Sequence, residues 1–300
     1  HGDFATSATL SDGLGKAVAA WIRSEIARLR WPGPVPVIEM GAGNGALAAT
    51  VLKSLGWLGR RRVRYHLVEV SPVLRELQRR RLGRRIAAWH DSPEAALASV
   101  GGRALLFSNE LVDAFPAKWL RFGNGVWHEI WTSFDPVRGL REEFRELSEG
   151  LVPETFSAIA LPHPIDGQRI EILPSYRQWL RDWIPHWQAG SMLTIDYGEA
   201  TAEAIYSKRL GGTLRGYFRH QRVEGGSVYA RFGKQDLTAD VNFADLAAWG
   251  QECGIETVAL TPQRRFLERY GCGEDAMAES EAGEAFWVLE QRREGSPPHL

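Results

Sequence analysis

Three glycines at alternate positions behind an apolar run constrain this chain more than any other feature. Residues Val35 to Ala46 read V-P-V-I-E-M-G-A-G-N-G-A. Val35, Val37 and Ile38 suit a buried strand that ends in Glu39, and Gly41, Gly43 and Gly45 follow as a tight turn. A helical pattern then begins at Leu47. One glycine permits the turn, and another lets the backbone approach a ligand closely. A strand, a tight turn and a helix start form the geometry in which open α/β sheets hold a cofactor.

Two cofactor classes share that shape. Gly41, Gly43 and Ala46 meet the dinucleotide spacing G-x-G-x-x-G/A, so NAD or FAD stays open on spacing. Glu39, Gly41, Gly43 and Gly45 meet acidic-x-G-x-G-x-G, the usual opening of S-adenosyl-L-methionine (SAM) methyltransferases. The carboxylate ahead of the first glycine favours SAM, whose amino-acid end carries an ammonium group. A pyrophosphate gains nothing from a carboxylate there.

The next strand, Tyr65–Val70, carries Glu69 where these folds place an acidic residue for a ribose diol. Upstream, Leu14, Val18, Trp21, Ile22 and Ile26 form a helical stripe, with Ser11 or Asp12 as cap and the helix running to about Arg30. Downstream come a helix from Leu47 to about Leu55, a helix opened by Ser71-Pro72, a strand at Ile86–Trp89 and another at Ala104–Phe107. This alternation predicts an α/β chain with a doubly wound, mostly parallel sheet and ligands at the strand C-terminal ends. Short aromatic pieces from Lys118 to about Pro164 predict a β-rich insertion (118–164). Tyr176–Trp187 reads as a helix, Ser191–Tyr197 as a fifth sheet strand and residues 200–240 as an irregular lid. Phe243–Cys253 reads as a further helix, and Glu256–Leu260 with Phe286–Glu290 as a closing antiparallel pair. The whole, 1–300, reads as one domain with those two insertions.

Formal net charge is -1, which points to neither nucleic acid nor an anionic membrane surface as partner. Cys253 and Cys272 have no metal-ligand spacing and no disulfide framework, so a reducing compartment is the simpler expectation. No apolar run reaches membrane-span length. A cytoplasmic location follows as the expectation, with the mitochondrial matrix as its equivalent for a eukaryotic chain.

Motifs along the whole chain sharpen the reading. G-D-F-A-T-S (2–7), E-M-G-A-G-N-G-A-L (39–47), H-L-V-E-V-S-P-V-L-R-E-L-Q (66–78), W-H-D-S (89–92) and N-E-L-V-D-A-F-P (109–116) come first. I-D-Y-G (195–198), G-T-L-R-G-Y-F-R-H (212–220), D-L-T-A-D-V-N-F (236–243) and P-Q-R-R-F-L (262–267) follow. In this series the chain resembles the MidA-type SAM-dependent protein arginine methyltransferases, which include respiratory complex I assembly factors and bacterial relatives. Ala8-Thr9 stands where that family expects Pro-Glu, and Asn242 where an Asp is common. The family's helical segment ahead of G-D-F is not in this sequence. The resemblance implies a Class I methyltransferase fold with an antiparallel final strand, SAM as cofactor, and a protein acceptor such as a respiratory complex subunit. A non-catalytic assembly factor on the same fold is the competing reading.

Within that frame the candidate residues take roles. Glu39, Gly41, Gly43, Gly45 and Glu69 face the cofactor. Asp91 and the Ser92 backbone meet the adenine amine, or else cap the next helix. Asn109 fixes its loop or contacts the cofactor's ammonium. Glu110 and Asp113 clamp an arginine guanidinium through bidentate hydrogen bonds, or Asp113 caps a turn. His220 accepts a proton or packs over the substrate, and Tyr197 lines the acceptor pocket or lies in the sheet.

Overall fold

The computed structural model describes residues 12–136, 139–218, 221–229, 235–272 and 285–295. In chain order the elements are α1 (Gly13–Leu29), β1 (Val35–Met40), α2 (Ala46–Arg61), β2 (Val63–Val68), α3 (Pro72–Leu82), β3 (Ala88–His90), α4 (Pro93–Ser99) and β4 (Leu105–Asn109). Then come β5 (Lys118–Gly123), β6 (Val126–Asp135), β7 (Gly139–Glu146), β8 (Arg169–Ile172), α5 (Pro174–Trp183), β9 (Gly190–Glu199) and α6 (Ala202–Tyr206). The rest are β10 (Arg215–Phe218), β11 (Gln221–Glu224), β12 (Asp236–Thr238), β13 (Val241–Asn242), α7 (Phe243–Glu252), β14 (Glu256–Pro262), α8 (Gln263–Arg269) and β15 (Phe286–Arg293). The chain divides into two compact units. Among the described residues, one takes in 12–111, Leu180–Tyr197 and those from Gly250 on; the other takes in those of Val112–Trp179 and Gly198–Trp249.

The first unit is built on a sheet of order β14-β15-β9-β4-β1-β2-β3. From β9 to β3 the strands are parallel, while β15 runs antiparallel to β9 and β14 antiparallel to β15. Strand order reverses between β1 and β4, so the crevice for a ligand opens beside the glycine turn. Val37, Tyr65, Leu67, Leu105, Phe107, Leu193 and Ile195 form the sheet's share of a core that α1 covers with Leu14, Val18, Trp21, Ile22 and Ile26. The α1 stripe is the expected one, and Arg30 ends the helix in a left-handed conformation at φ 50°. Asp12 holds the N-cap position without a side-chain capping bond.

Three sequence expectations shift here. Helix α2 continues past Leu55 to Arg61 across a break at Gly56, whose φ 66° and ψ -178° are not helical. The glycine marks a kink between two helical stretches rather than the end. The strand expected at Ile86–Trp89 lies at Ala88–His90, and the helix expected through Trp187 stops at Trp183. Pro185 cannot donate the bond that would continue it.

The second unit holds two sheets. One has the order β7-β6-β5-β8, antiparallel throughout. Its fourth strand, β8, lies beyond the expected end of the insertion at residue 164. The other, β11-β10-β12, occupies the stretch read as an irregular lid. Its strands are three or four residues long and largely polar, so they carry no alternating apolar signal. β13 pairs in parallel with Gly198 and Glu199 at the end of β9.

Candidate cofactor site

The glycine turn leaves β1 with Gly41, Gly43 and Gly45 at φ 72°, 53° and 77°, a region that other residues rarely adopt. The three differ in what surrounds them. A Cβ on Gly41 would meet Leu111 Cδ1 at 2.8 Å, and one on Gly45 would meet Leu82 Cδ1 at 3.1 Å. At Gly43 no atom lies within 4 Å of the added carbon. Gly41 and Gly45 therefore serve close packing, and Gly43 faces open space. Glu39 is buried in β1 and accepts a 2.6 Å hydrogen bond from the Tyr65 hydroxyl. Burial pushes its carboxyl up to about 7, against the lowering effect of that bond.

At the end of β2 the Glu69 carboxylate is also buried. One oxygen accepts from the Ser71 amide at 2.9 Å, the other from Gln78 Nε2 at 3.2 Å. Each oxygen keeps a further lone pair, which matches the two hydroxyls of a ribose. The same Gln78 nitrogen donates to the Gly43 carbonyl at 2.7 Å, and Gln78 Oε1 accepts from the Trp89 indole at 3.0 Å. Arg75 donates to the Glu69 carbonyl at 2.6 Å and pairs with exposed Asp91. Ser92 caps α4, its hydroxyl accepting from the Ala95 amide at 3.3 Å. Beside Asp91, His90 Nε2 lies 3.0 Å from His66 Nδ1. Burial, then the neighbouring His90 and Arg64, pushes His66 down to about 4.

Beyond β4 the chain turns sharply. Glu110 takes φ 51°, an uncommon conformation for a residue with a side chain, and its amide donates to the Ile195 carbonyl at 3.0 Å. The following Leu111 amide donates to buried Asp196 at 3.1 Å, and the Tyr197 amide to the same carboxylate at 2.9 Å. This bracket aims the Asn109–Glu110 pair, in which Asn109 Nδ2 donates to Glu110 Oε1 at 3.1 Å. Asn109 Oδ1 is buried and has no hydrogen-bond partner among the described residues. The Tyr197 ring lies 4.0 Å from that of Phe286, centroid to centroid.

Sequence reasoning did not assign roles to Gln78, Arg75 or Asp196. The first two stand three apart on α3, behind the Ser71-Pro72 helix start, and that spacing was the available signal. His220 lies outside the described residues.

In the second unit Asp113 is surrounded by motifs far away in sequence. Its carboxylate accepts from Thr238 Oγ1 at 2.8 Å, and burial raises its pKa, opposed by that bond and by the Arg215 charge. Arg215 pairs with Asp240 at 2.6 Å, and the Asp240 amide donates to Thr213 Oγ1 at 2.9 Å. The Thr213–Leu214 turn is in turn held by buried Glu171, which accepts both amides, the Thr213 hydroxyl and the Tyr206 hydroxyl. Asp113 and the stretches 213–215 and 238–240 thus converge on one polar cluster within this unit. Among the described residues no group of His, Cys, Asp and Glu is arranged to hold a metal ion.

The sequence model of a family described as "Putative S-adenosyl-L-methionine-dependent methyltransferase" matches residues 17–261. Protein arginine methyltransferase NDUFAF7, mitochondrial, of Xenopus tropicalis is 30% identical over 272 residues, which cover 81% of this chain and 59% of the relative. The Drosophila melanogaster homologue of that protein is 29% identical over 279 residues, with coverage of 81% and 59%. The chain thus spans about three fifths of the length of the curated relatives it matches. A Burkholderia thailandensis protein crystallised with S-adenosyl-homocysteine bound has a TM-score of 0.79 at 26% identity, covering 98% of this chain and 80% of that one. The family match takes in the glycine turn, Glu69 and the Asn109–Asp113 segment together, and on it the chain belongs to this family of S-adenosyl-L-methionine-dependent methyltransferases.

Proposed function

We propose that the chain transfers a methyl group from SAM to an arginine side chain of a partner protein. The observation that carries this reading is the buried Glu69 carboxylate, tied through Gln78 to the glycine turn at the point where strand order reverses. The residues present fit the cofactor. Gly43 faces open space where the backbone can meet a ligand, Glu69 has lone pairs for the ribose hydroxyls, and the orphaned Asn109 Oδ1 is an acceptor suited to an ammonium. Glu39 and Asp91 would complete the holding set at the amino-acid and adenine ends, with the backbone of Ser92.

When bound, SAM supplies an electrophilic methyl group on its sulfonium. The chain's own contribution is orientation of the acceptor. A guanidinium is protonated at neutral pH and a poor nucleophile, so it must be positioned with its charge drawn to one side. Glu110 and Asp113 are the carboxylates proposed for that task, and bidentate pairing suits them to it. Tyr197 is proposed to line the acceptor side and His220 to act there as base or packing residue. Proximity and orientation then supply most of the rate enhancement.

The names of the curated relatives support arginine as the target and a protein as the acceptor. A respiratory complex subunit is the acceptor we favour, encountered in the cytoplasm or, for a eukaryotic chain, the mitochondrial matrix. No helix of the described residues is long and apolar enough to cross a membrane. Titration calorimetry with SAM, S-adenosyl-homocysteine and NAD(H), followed by transfer of labelled methyl into a lysate and mass spectrometry, tests the reading. Binding of SAM and label on arginine are expected. Binding of NAD(H) with none of SAM overturns it.

A further inference from the structure

We propose that Gln78 is a positioning residue that sets the spacing between the glycine turn and Glu69, and so governs cofactor affinity. The inference rests on the SAM reading above. Gln78 sits on α3, is completely buried, and touches no solvent that could share its hydrogen bonds. Its nitrogen donates both hydrogens, one to the Gly43 carbonyl and one to the Glu69 carboxylate, while its oxygen accepts from Trp89. The orientation of the amide is unambiguous, because a carbonyl and a carboxylate only accept and an indole only donates.

No other side chain supplies this set. Glutamate lacks the two donors, lysine and arginine lack the acceptor, and methionine lacks both. Asparagine carries the same amide on a stem one methylene shorter. The stem also packs on the turn, since a Cβ on Gly45 would stand 3.4 Å from Gln78 Cγ. One planar amide therefore links β1's turn, β2's terminal carboxylate and β3's Trp89, adding a side-chain tie between strand ends that the backbone ladder already holds side by side. A Glu69 carboxylate left without the Gln78 donor would lose one of its two anchors, and the Gly43 carbonyl would lose its restraint.

The test is calorimetric titration of S-adenosyl-homocysteine into wild type, Gln78→Met and Gln78→Glu at about pH 8 and about pH 5.5, read as the ratio of variant to wild-type Kd. Gln78→Met keeps the volume and removes all three bonds. Its ratio should rise roughly 10- to 100-fold at both pH values, the scale of losing hydrogen bonds to a charged group. Gln78→Glu should show a similar ratio at pH 8, where a second carboxylate faces Glu69. That ratio should fall at about pH 5.5 without reaching one, because the protonated acid regains one of the two donors. Circular dichroism and Tm establish that each variant is folded; if Gln78→Glu does not fold, Gln78→Met decides. A folded Gln78→Met with wild-type affinity overturns the proposal, and so does a Gln78→Glu loss that ignores pH. Wild type that binds no S-adenosyl-homocysteine overturns the SAM reading along with it.

Discussion

Desolvation inside β1 leaves the Glu39 carboxyl protonated up to about pH 7, whereas the same group in an unfolded chain ionises near 4.5. A group raised in this way stabilises the fold fully below 4.5, and the contribution is lost as pH rises through 7. His66 works in the opposite sense. Its depressed value of about 4 contributes stability above the ordinary 6.5, lost as pH falls through 4. Glu39→Gln keeps an acceptor for Tyr65 without the buried charge, so its Tm should exceed wild type at pH 8, and that gain should shrink toward pH 4.5. An offset that does not change with pH would remove the burial argument. The same group offers a ligand test. A cofactor ammonium beside Glu39 favours the carboxylate, so SAM binding at pH 7 should release a proton, seen as a buffer-dependent calorimetric enthalpy. Glu39→Gln should abolish the release; no release in wild type would displace Glu39 from the ammonium. Glu69→Ala should weaken SAM binding by roughly 1.5–3 kcal/mol, the scale of a charged hydrogen bond. An unchanged Kd rejects Glu69 as the ribose ligand.

At the level of elements, the glycine turn separates packing from binding in a way that mutation can read. Gly43→Val places its side chain in open space and costs only the left-handed backbone, about 1–2 kcal/mol. The variant should fold by circular dichroism and lose SAM binding; normal binding by a folded variant would move the site elsewhere. Gly41→Ala meets Leu111 instead and should lower Tm further than Gly43→Ala does. How much of this was legible follows element by element. The β1–turn–α2 unit, the Ser71-Pro72 helix start and the β9–β15–β14 end of the sheet were readable because their signals are local: glycine spacing, a cap with proline, and buried runs of apolar residues. β10, β11 and β12 were not, since each is only three or four residues long, lacks a run of alternating apolar residues and pairs with its neighbours. Gln78 and Asp196 were silent for a related reason. A buried amide and a buried carboxylate acquire meaning from partners as far away as Gly43 and Leu111, and no periodicity announces those.

For the molecule as a whole, the N-E-L-V-D segment is where the chain passes from one compact unit to the other, with Glu110 in the first and Asp113 in the second. The two carboxylates have different local supports. Glu110 is held by a strained backbone and the Asn109 amide, Asp113 by Thr238 and the charge of Arg215. Both Glu110→Gln and Asp113→Asn preserve shape and a hydrogen-bond acceptor, so the Asn109 and Thr238 bonds survive while the negative charge goes. Each variant should therefore keep SAM affinity, which depends on β1 and β2, and lose most methyl transfer. The kinetic pattern then separates the roles. If a carboxylate acts mainly in the transition state, kcat falls with little change in acceptor affinity; if it mainly docks the guanidinium, the acceptor KM rises. Either pattern keeps an arginine acceptor. Wild-type turnover in both variants, or methyl label found only on lysine or a small molecule, would remove the carboxylate clamp.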